Sequence, residues 1–250
     1  MKNNYFNYSV ANIYSKPSSN SEVISQILYG EKFKILLKKK NWCKIKTEYD
    51  NYIGYIKKRK FIHHFKPRNK ICAIKSIIYK KEKNRFSKTN NFLFFGSKLE
   101  FKKKERDFVK FSENKWIKVK DTKKINHIEK NFSKIFKSFL NTKYLWGGKT
   151  INGIDCSALI QIYFYYNQVF FPRDSKDQSK FCKKKISKKL LKGDIIFWKG
   201  HVGVCVGPNK FIHAYGPRKK VLLMPTKFTI NLIKKTANLS ITKISNIKKH

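Results

Sequence analysis

Between residues 5 and 58 short apolar runs alternate with turn signals. Val10–Tyr14 is followed by Pro17-Ser18-Ser19-Asn20, and Val23–Leu28 by Tyr29-Gly30-Glu31. Phe33–Leu37, Trp42–Thr47 and Tyr52–Ile56 complete a series of short strands about 8–12 residues apart, the pattern of a small antiparallel barrel or sandwich. Residues 70–121 repeat the texture more loosely. Ile71–Tyr79, Phe92–Phe95, Lys98–Phe101, Phe108–Phe111 and Trp116–Val119 are predicted strands with Lys-rich loops between them. Two readings stand for residues 61–125: a second small β-module, or a β-rich linker.

Around Asn126 the period changes. From His127 to Leu140, Ile128, Phe132, Ile135, Phe136 and Phe139 recur at intervals of three and four, which predicts an amphipathic helix. A second apolar helix is predicted from Asp155 to Asn167. From Gly193 onward strands return, at Asp194–Trp198, His201–Val206, Lys210–Ala214, Val221–Met224 and Leu239–Ile244. Helices first and an antiparallel sheet afterwards predict an α+β domain over residues 126–250, behind the all-β residues 1–60 and 61–125.

Composition adds one unusual quantity. The chain has 58 Lys plus Arg against 15 Asp plus Glu, a net charge of +43, yet 52 of the 58 are Lys and 6 are Arg. Lys, Asn, Ile and Phe fill 123 of 250 positions while Ala fills 5, as expected when coding DNA drifts toward A and T. The two halves carry +23 and +20, so the excess is spread rather than gathered on one face. A dedicated, sequence-specific nucleic-acid partner is therefore not expected, although loose, salt-sensitive binding of anions is. Five cysteines without CxxC spacing suggest neither a disulfide framework nor a zinc site, and no metal or cofactor is expected. Met1 to Val10 lack the apolar core of a signal peptide, and no apolar run approaches the ~20 residues that span a bilayer. The expectation is a cytoplasmic protein with no membrane partner.

The candidate chemistry lies in the last 125 residues. Asp155 is a good N-cap for the predicted second helix. Cys156 then occupies the first helical position, where the positive helix end favours thiolate, the nucleophilic form. Cys43, Cys72, Cys182 and Cys205 lack such a setting. A nucleophilic thiol needs a base, and the base an orienting group. His201–Val206 and Lys210–Ala214 read as a hairpin around Gly207-Pro208-Asn209. With a three-residue loop His201 and His213 share one face of the sheet; with a two-residue loop they lie on opposite faces. His63, His64, His127 and His250 read as polar surface residues.

The run from Ile13 through Tyr29-Gly30-Glu31 to Tyr52-Ile53-Gly54-Tyr55-Ile56 resembles a bacterial SH3 domain. More specifically, Tyr144-Leu145-Trp146-Gly147-Gly148, Gly153-Ile154-Asp155-Cys156-Ser157, Pro172-Arg173-Asp174-Ser175 with Gln178, Leu191-Lys192-Gly193-Asp194, Gly200-His201-Val202-Gly203-Val204 and Ile212-His213-Ala214 closely resemble the NlpC/P60 cysteine peptidases. The likeness covers residues 128–250. It implies a papain-like α+β domain behind one or two SH3-like barrels, with Cys156 as nucleophile, His201 as base and His213 as its orienting residue. It further implies hydrolysis of the bond between γ-linked D-glutamate and a diamino acid in murein peptides with a free L-alanine, during cell-wall recycling. Asp155, Ser157, Asp174 and Ser175 match substrate-contacting positions, with Asp155 pairing the alanine amine beside or instead of its capping role. Tyr144 would help hold the oxyanion. Glu31 and Tyr55 match positions of the SH3 domain that close one end of the groove. Arg173 has two readings, a substrate carboxylate or a neighbour such as Asp174 or Asp177. Ala158 departs from the usual Gly after Cys-Ser, a change of one methyl in a helix. The alternatives are an amidase or acyltransferase on the same layout, and a basic binding protein with a relic catalytic domain.

Overall fold

The computed structural model describes residues 3–187 and 189–249, so His250 lies outside the described residues. The chain divides into two compact units, Met1–Ile128 and Glu129–His250.

The first unit is all β. Six strands pair in the order Asn4–Tyr5, Lys32–Lys39, Trp42–Thr47, Ile53–Lys57, Val10–Tyr14 and Val23–Leu28. Their inward residues, among them Phe6, Ile13, Ile27, Phe33, Ile45 and Ile56, form one buried cluster. Residues beyond 61 build a second β-module around a cluster of Ile71, Leu93, Leu99, Val109, Phe111 and Ile117. Tyr29, from the first set of strands, packs into that second cluster. The turn that delivers it needs Gly30, whose φ is +74° and where a Cβ would lie 2.3 Å from the carbonyl oxygen of Lys98. The second module has two sheets. One joins Lys98–Leu99, Asn69–Ile71 and Thr122–Lys124; the other runs Lys103–Glu105, Phe108–Ser112, Lys115–Lys118, Lys75–Glu82, Arg85–Phe94. The predicted Lys-rich loop after Tyr79 is in fact a hairpin, with Lys80 opposite Ser87 and Lys81 opposite Phe86. Lysine's low strand propensity hides these arms in the sequence, because their pairing rests on the apolar face of the sheet.

The second unit sets helices around one antiparallel sheet. The sheet order is Lys220–Met224, Lys210–Tyr215, His201–Gly207, Asp194–Trp198, Lys243–Asn246. Helix α1 covers only Phe132–Lys137, shorter than the predicted His127–Leu140. Asn131 starts it by accepting the N–H of Lys134 at 3.2 Å, while Asn167 holds Glu129 through both its N–H and its C=O. Beyond Lys137 the three-residue period continues as turns, Phe139 N–H to Phe136 C=O and Thr142 N–H to Phe139 C=O, which still bury Phe139. Helix α2, Cys156–Tyr166, is the predicted second helix and is buried at ten of its eleven positions. Two helices went unpredicted: α3, Ser175–Phe181, and α4, Thr226–Ala237. Helix α4 starts after Pro225 and ends at Asn238 in the left-handed conformation. Its Ile233 packs with Trp198, Phe211 and Tyr215 of the sheet. The last strand begins at Lys243 rather than Leu239 because α4 and its exit occupy the residues before it. No helix among the described residues is long and apolar enough to cross a membrane.

Candidate active site

Asp155 has extended backbone and caps α2, its Oδ1 accepting the N–H of Ala158 at 2.8 Å. The same carboxylate is taken further. Oδ1 also accepts the Ser157 hydroxyl at 3.1 Å and Arg173 Nη1 at 3.0 Å; Oδ2 accepts Arg173 Nη2 at 2.6 Å and Gly147 N–H at 2.9 Å. Arg173 Nη1 reaches Ser157 Oγ as well, at 2.9 Å. The ion pair is enclosed, with side-chain exposures of 1% for Arg173 and 7% for Asp155. Gln178, fully buried, donates from Nε2 to the carbonyls of Ser157 and Pro172, tying the segment before α3 to the first turn of α2. Arg173 thus pairs with Asp155 and Ser157, and its fork is enclosed rather than offered to a substrate carboxylate.

Cys156 opens α2 and is 5% exposed. Backbone N–H groups of Val202 and Ser157 point at its sulfur, which places the thiol beside the start of the His201–Gly207 strand. Burial and then the Asp155 carboxylate push the thiol up to about 12, against the pull of those N–H groups and of Arg173. The resting sulfur is therefore a neutral thiol, in contrast to the thiolate that its helix position predicts. Desolvation outweighs the helix end here.

His201 and His213 come together as the sequence requires, by an unforeseen route. Val204 pairs with Ile212 and Cys205 with Phe211, which puts Gly203 opposite His213 and both histidines on one face. The turn itself closes at Gly207–Lys210, a two-residue loop, and the register shift between Cys205 and Gly207 restores the face that the loop alone would have reversed. His201 Nε2 lies 3.0 Å from His213 Nδ1. This leaves Nδ1 as the ring nitrogen of His201 for Cys156. His213 is fully buried and stacks on Tyr215 at 4.8 Å and 17°, while Trp198 lies 5.6 Å from His201. Burial depresses both imidazoles below 6.5, His213 also through the charge of His201, so both are neutral at pH 7. Gly203 makes room for the pair: a Cβ there would lie 2.4 Å from the Phe211 ring and 2.9 Å from His213 Cβ.

Tyr144 is half-buried, with its ring against Gly216, and burial together with the charges of Cys156 and Asp155 pushes its phenol upward. It therefore remains a hydrogen-bond donor beside the thiol. Asp174 and Ser175 sit half-exposed at the start of α3, where the Asp174 carboxylate makes no capping hydrogen bond. Glu31 and Tyr55 lie in the first unit. Glu31 Oε2 accepts the N–H of Leu28 at 3.0 Å, and Tyr55 is half-buried with the Lys44 ammonium 5.9 Å over its ring. All five cysteines are free, and His63 and His64 are exposed. No cluster of three metal-ligating side chains occurs among the described residues.

A thiol at a helix start, next to the strand that carries an imidazole oriented by a second imidazole, is the equipment of a cysteine peptidase. Residues 141–235 match the NlpC/P60 family, and residues 9–62 match the bacterial SH3 domain. The chain carries an NlpC/P60 cysteine peptidase domain. It is 26% identical to dipeptidyl-peptidase 6 of Lysinibacillus sphaericus, across 82% of this chain and 84% of that protein. It is 35% identical to the gamma-D-glutamyl-L-lysine dipeptidyl-peptidase of Bacillus subtilis, across 37% of this chain and 34% of that protein. A crystal structure of an NlpC/P60 family protein from Bacillus cereus superposes with a TM-score of 0.81 at 18% identity, over 98% of this chain and 99% of that one. The matched span 141–235 contains Cys156, His201 and His213. Sequence reasoning did not find the Arg173–Asp155 bond, the Gln178 tie or the N–H of Val202.

Proposed function

We propose that this protein hydrolyses the γ-D-glutamyl–diamino acid bond of murein peptides bearing a free N-terminal L-alanine, in the cytoplasmic recycling of cell-wall peptides. The observation that carries the reading is Cys156 at the start of α2 beside the His201–His213 pair held at 3.0 Å. Similarity to the gamma-D-glutamyl-L-lysine dipeptidyl-peptidase of Bacillus subtilis supports the substrate class. The +43 chain does not repel a peptide that carries several carboxylates.

The chemistry follows from the neutral resting pair. A base working through Nδ1 must carry its own proton on Nε2, which His213 Nδ1 accepts. As Cys156 Sγ attacks the γ-glutamyl carbonyl carbon, its proton passes to His201 Nδ1. The carbonyl oxygen becomes an oxyanion, stabilised by the Tyr144 hydroxyl and the Cys156 N–H. Collapse breaks the C–N bond, and His201 returns the proton to the departing amine of the diamino acid. Water, deprotonated by His201, then cleaves the thioester and releases L-Ala-γ-D-Glu. Asp155, whose carboxylate also takes five donors of the protein, is assigned to the alanine ammonium, with Asp174 as a further substrate contact.

The test is a digest of L-Ala-γ-D-Glu-meso-diaminopimelate beside the same peptide acylated at its amino terminus, with Cys156→Ala as control. Release of L-Ala-γ-D-Glu from the free peptide alone is the expected result. Equal cutting of both removes the requirement for a free amine, and no cutting of either overturns the reading.

A further inference from the structure

We propose that the outer face of the five-stranded sheet in the second β-module binds single-stranded nucleic acid without regard to sequence. One face of this sheet, with Ile78, Leu93, Val109, Phe111 and Ile117, supplies the buried cluster. The register places the alternate residues together on the other face. Trp116 pairs with Tyr79, Lys110 with Trp116, Phe108 with Lys118, Lys81 with Phe86 and Ile77 with Phe92. A sheet face turned away from its core ordinarily carries polar side chains. This one carries five aromatic rings.

The rings form a layered platform. Tyr79 and Trp116 lie beneath, 6% and 4% exposed. Phe86 and Phe108, both half-exposed, stack on each other at 4.0 Å and 11° above them, each with its edge to one of the lower rings. Between the rings stand Lys75, Lys81, Lys88, Lys103, Lys110 and Lys118, against one carboxylate, Glu105, which pairs with Lys81 at 2.5 Å. Lys75 sits 3.8 Å over the Phe92 ring and Lys118 5.8 Å over Tyr79, so ammonium groups and ring faces share one surface. Drift toward A and T explains Lys and Phe as residue types. It does not explain Trp116, or the alternation that sends these rings away from the core.

The pairing of charge and ring chooses the occupant. Ring faces give unpaired bases something to stack on, and ammonium groups neutralise the phosphates between them. A duplex hides its base faces from such rings, polyphosphate has phosphates but no rings, and a neutral glycan strand leaves the ammonium groups unbalanced.

A chain of +43 binds any polyanion to some degree, so the decisive quantity is the part of the affinity that depends on the rings. Anisotropy of a fluorescent oligo-dT of about 20 nucleotides, longer than the ~4–16 nucleotides that comparable modules cover, measures it with the full chain at about 0.15 M salt. Inorganic polyphosphate and a duplex of equal length serve as competitors. Phe86→Leu with Phe108→Leu keeps apolar cover over Trp116 and removes the stacking faces. The expected result is preference for the single strand over both competitors, and a loss of roughly tenfold or more in the double variant with polyphosphate binding unchanged. Equal affinity for polyphosphate, or a double variant that binds oligo-dT like the wild type, overturns the proposal. Photocrosslinking with a 5-iodouracil-substituted strand decides independently of the variants. Crosslinks within residues 85–118 are expected, and crosslinks confined to other regions contradict the assignment.

Discussion

Replacing Arg173 by Met removes one half of an enclosed ion pair and leaves the other half in place. Arg173 donates to Asp155 at 3.0 and 2.6 Å and to Ser157 at 2.9 Å, with 1% of its side chain exposed. Breaking a buried pair this way costs about 3–5 kcal/mol, because the remaining charge stays desolvated. Asp155 keeps the N–H groups of Gly147 and Ala158 and the Ser157 hydroxyl, so the lower end, ~3 kcal/mol, applies here. The carboxylate it leaves uncompensated adjoins Cys156, whose thiol Asp155 already pushes up and Arg173 pulls down. Thiolate development in the transition state then becomes harder, and kcat/KM should fall roughly tenfold or more. Urea denaturation of the full chain, followed by a probe in the second unit, reads the first effect and peptide digestion the second. Asp155→Asn in the Arg173→Met background removes the stranded charge and should restore part of both. Arg173→Lys, which keeps the charge without the fork, should fall between. A destabilisation of Arg173→Met below about 0.5 kcal/mol, the range of ordinary surface changes, would refute the reasoning.

Four further outcomes follow from the site. Gly203→Ala forces a methyl against Phe211 and His213 and should cost about 1–3 kcal/mol while lowering kcat through a displaced imidazole, checked by denaturation and by activity in parallel. Because His201 is depressed below 6.5, the acid limb of kcat/KM should fall well below that pH, and a limb at or above 6.5 would contradict the buried neutral base. The same depression makes stability complete above 6.5 and erodes it as pH falls toward the folded value, so acid titration of the melting temperature should flatten in His201→Gln. Tyr144→Phe should lower kcat by about 10–1,000-fold with little change in KM if the hydroxyl holds the oxyanion, and equal kcat would remove it from that role.

How much of this was legible depends on whether the signal was local. The capped start of α2 is local: Asp155 followed by an apolar helix is enough to place Cys156 at its first turn. The histidine pair was legible only up to a count of loop residues, since a two-residue loop and a one-residue bulge together imitate a three-residue loop. The hairpin arms in residues 75–94 were obscured by lysines on a face that the sequence alone could not know was paired. Helix α4 has only its ends as a local signal, Pro225 before it and Asn238 after it, and it lies in the stretch left unassigned between two predicted strands. The Arg173–Asp155 bond is tertiary, 18 residues apart along the chain. Even so, one of only six arginines among 52 lysines marks a place where a fork was kept and a point charge would not serve.

In the proposed reaction Cys156 attacks the γ-D-glutamyl carbonyl. Intact-mass spectrometry of the protein, acid-quenched during turnover of L-Ala-γ-D-Glu 4-nitrophenyl ester, tests it directly, because a good leaving group makes hydrolysis of the thioester the slow step. A mass increase of one L-Ala-γ-D-glutamyl group is expected, located on Cys156 by peptide mapping and absent from Cys156→Ala. Turnover with no adduct, or an adduct on Cys43, Cys72, Cys182 or Cys205 instead, would contradict it.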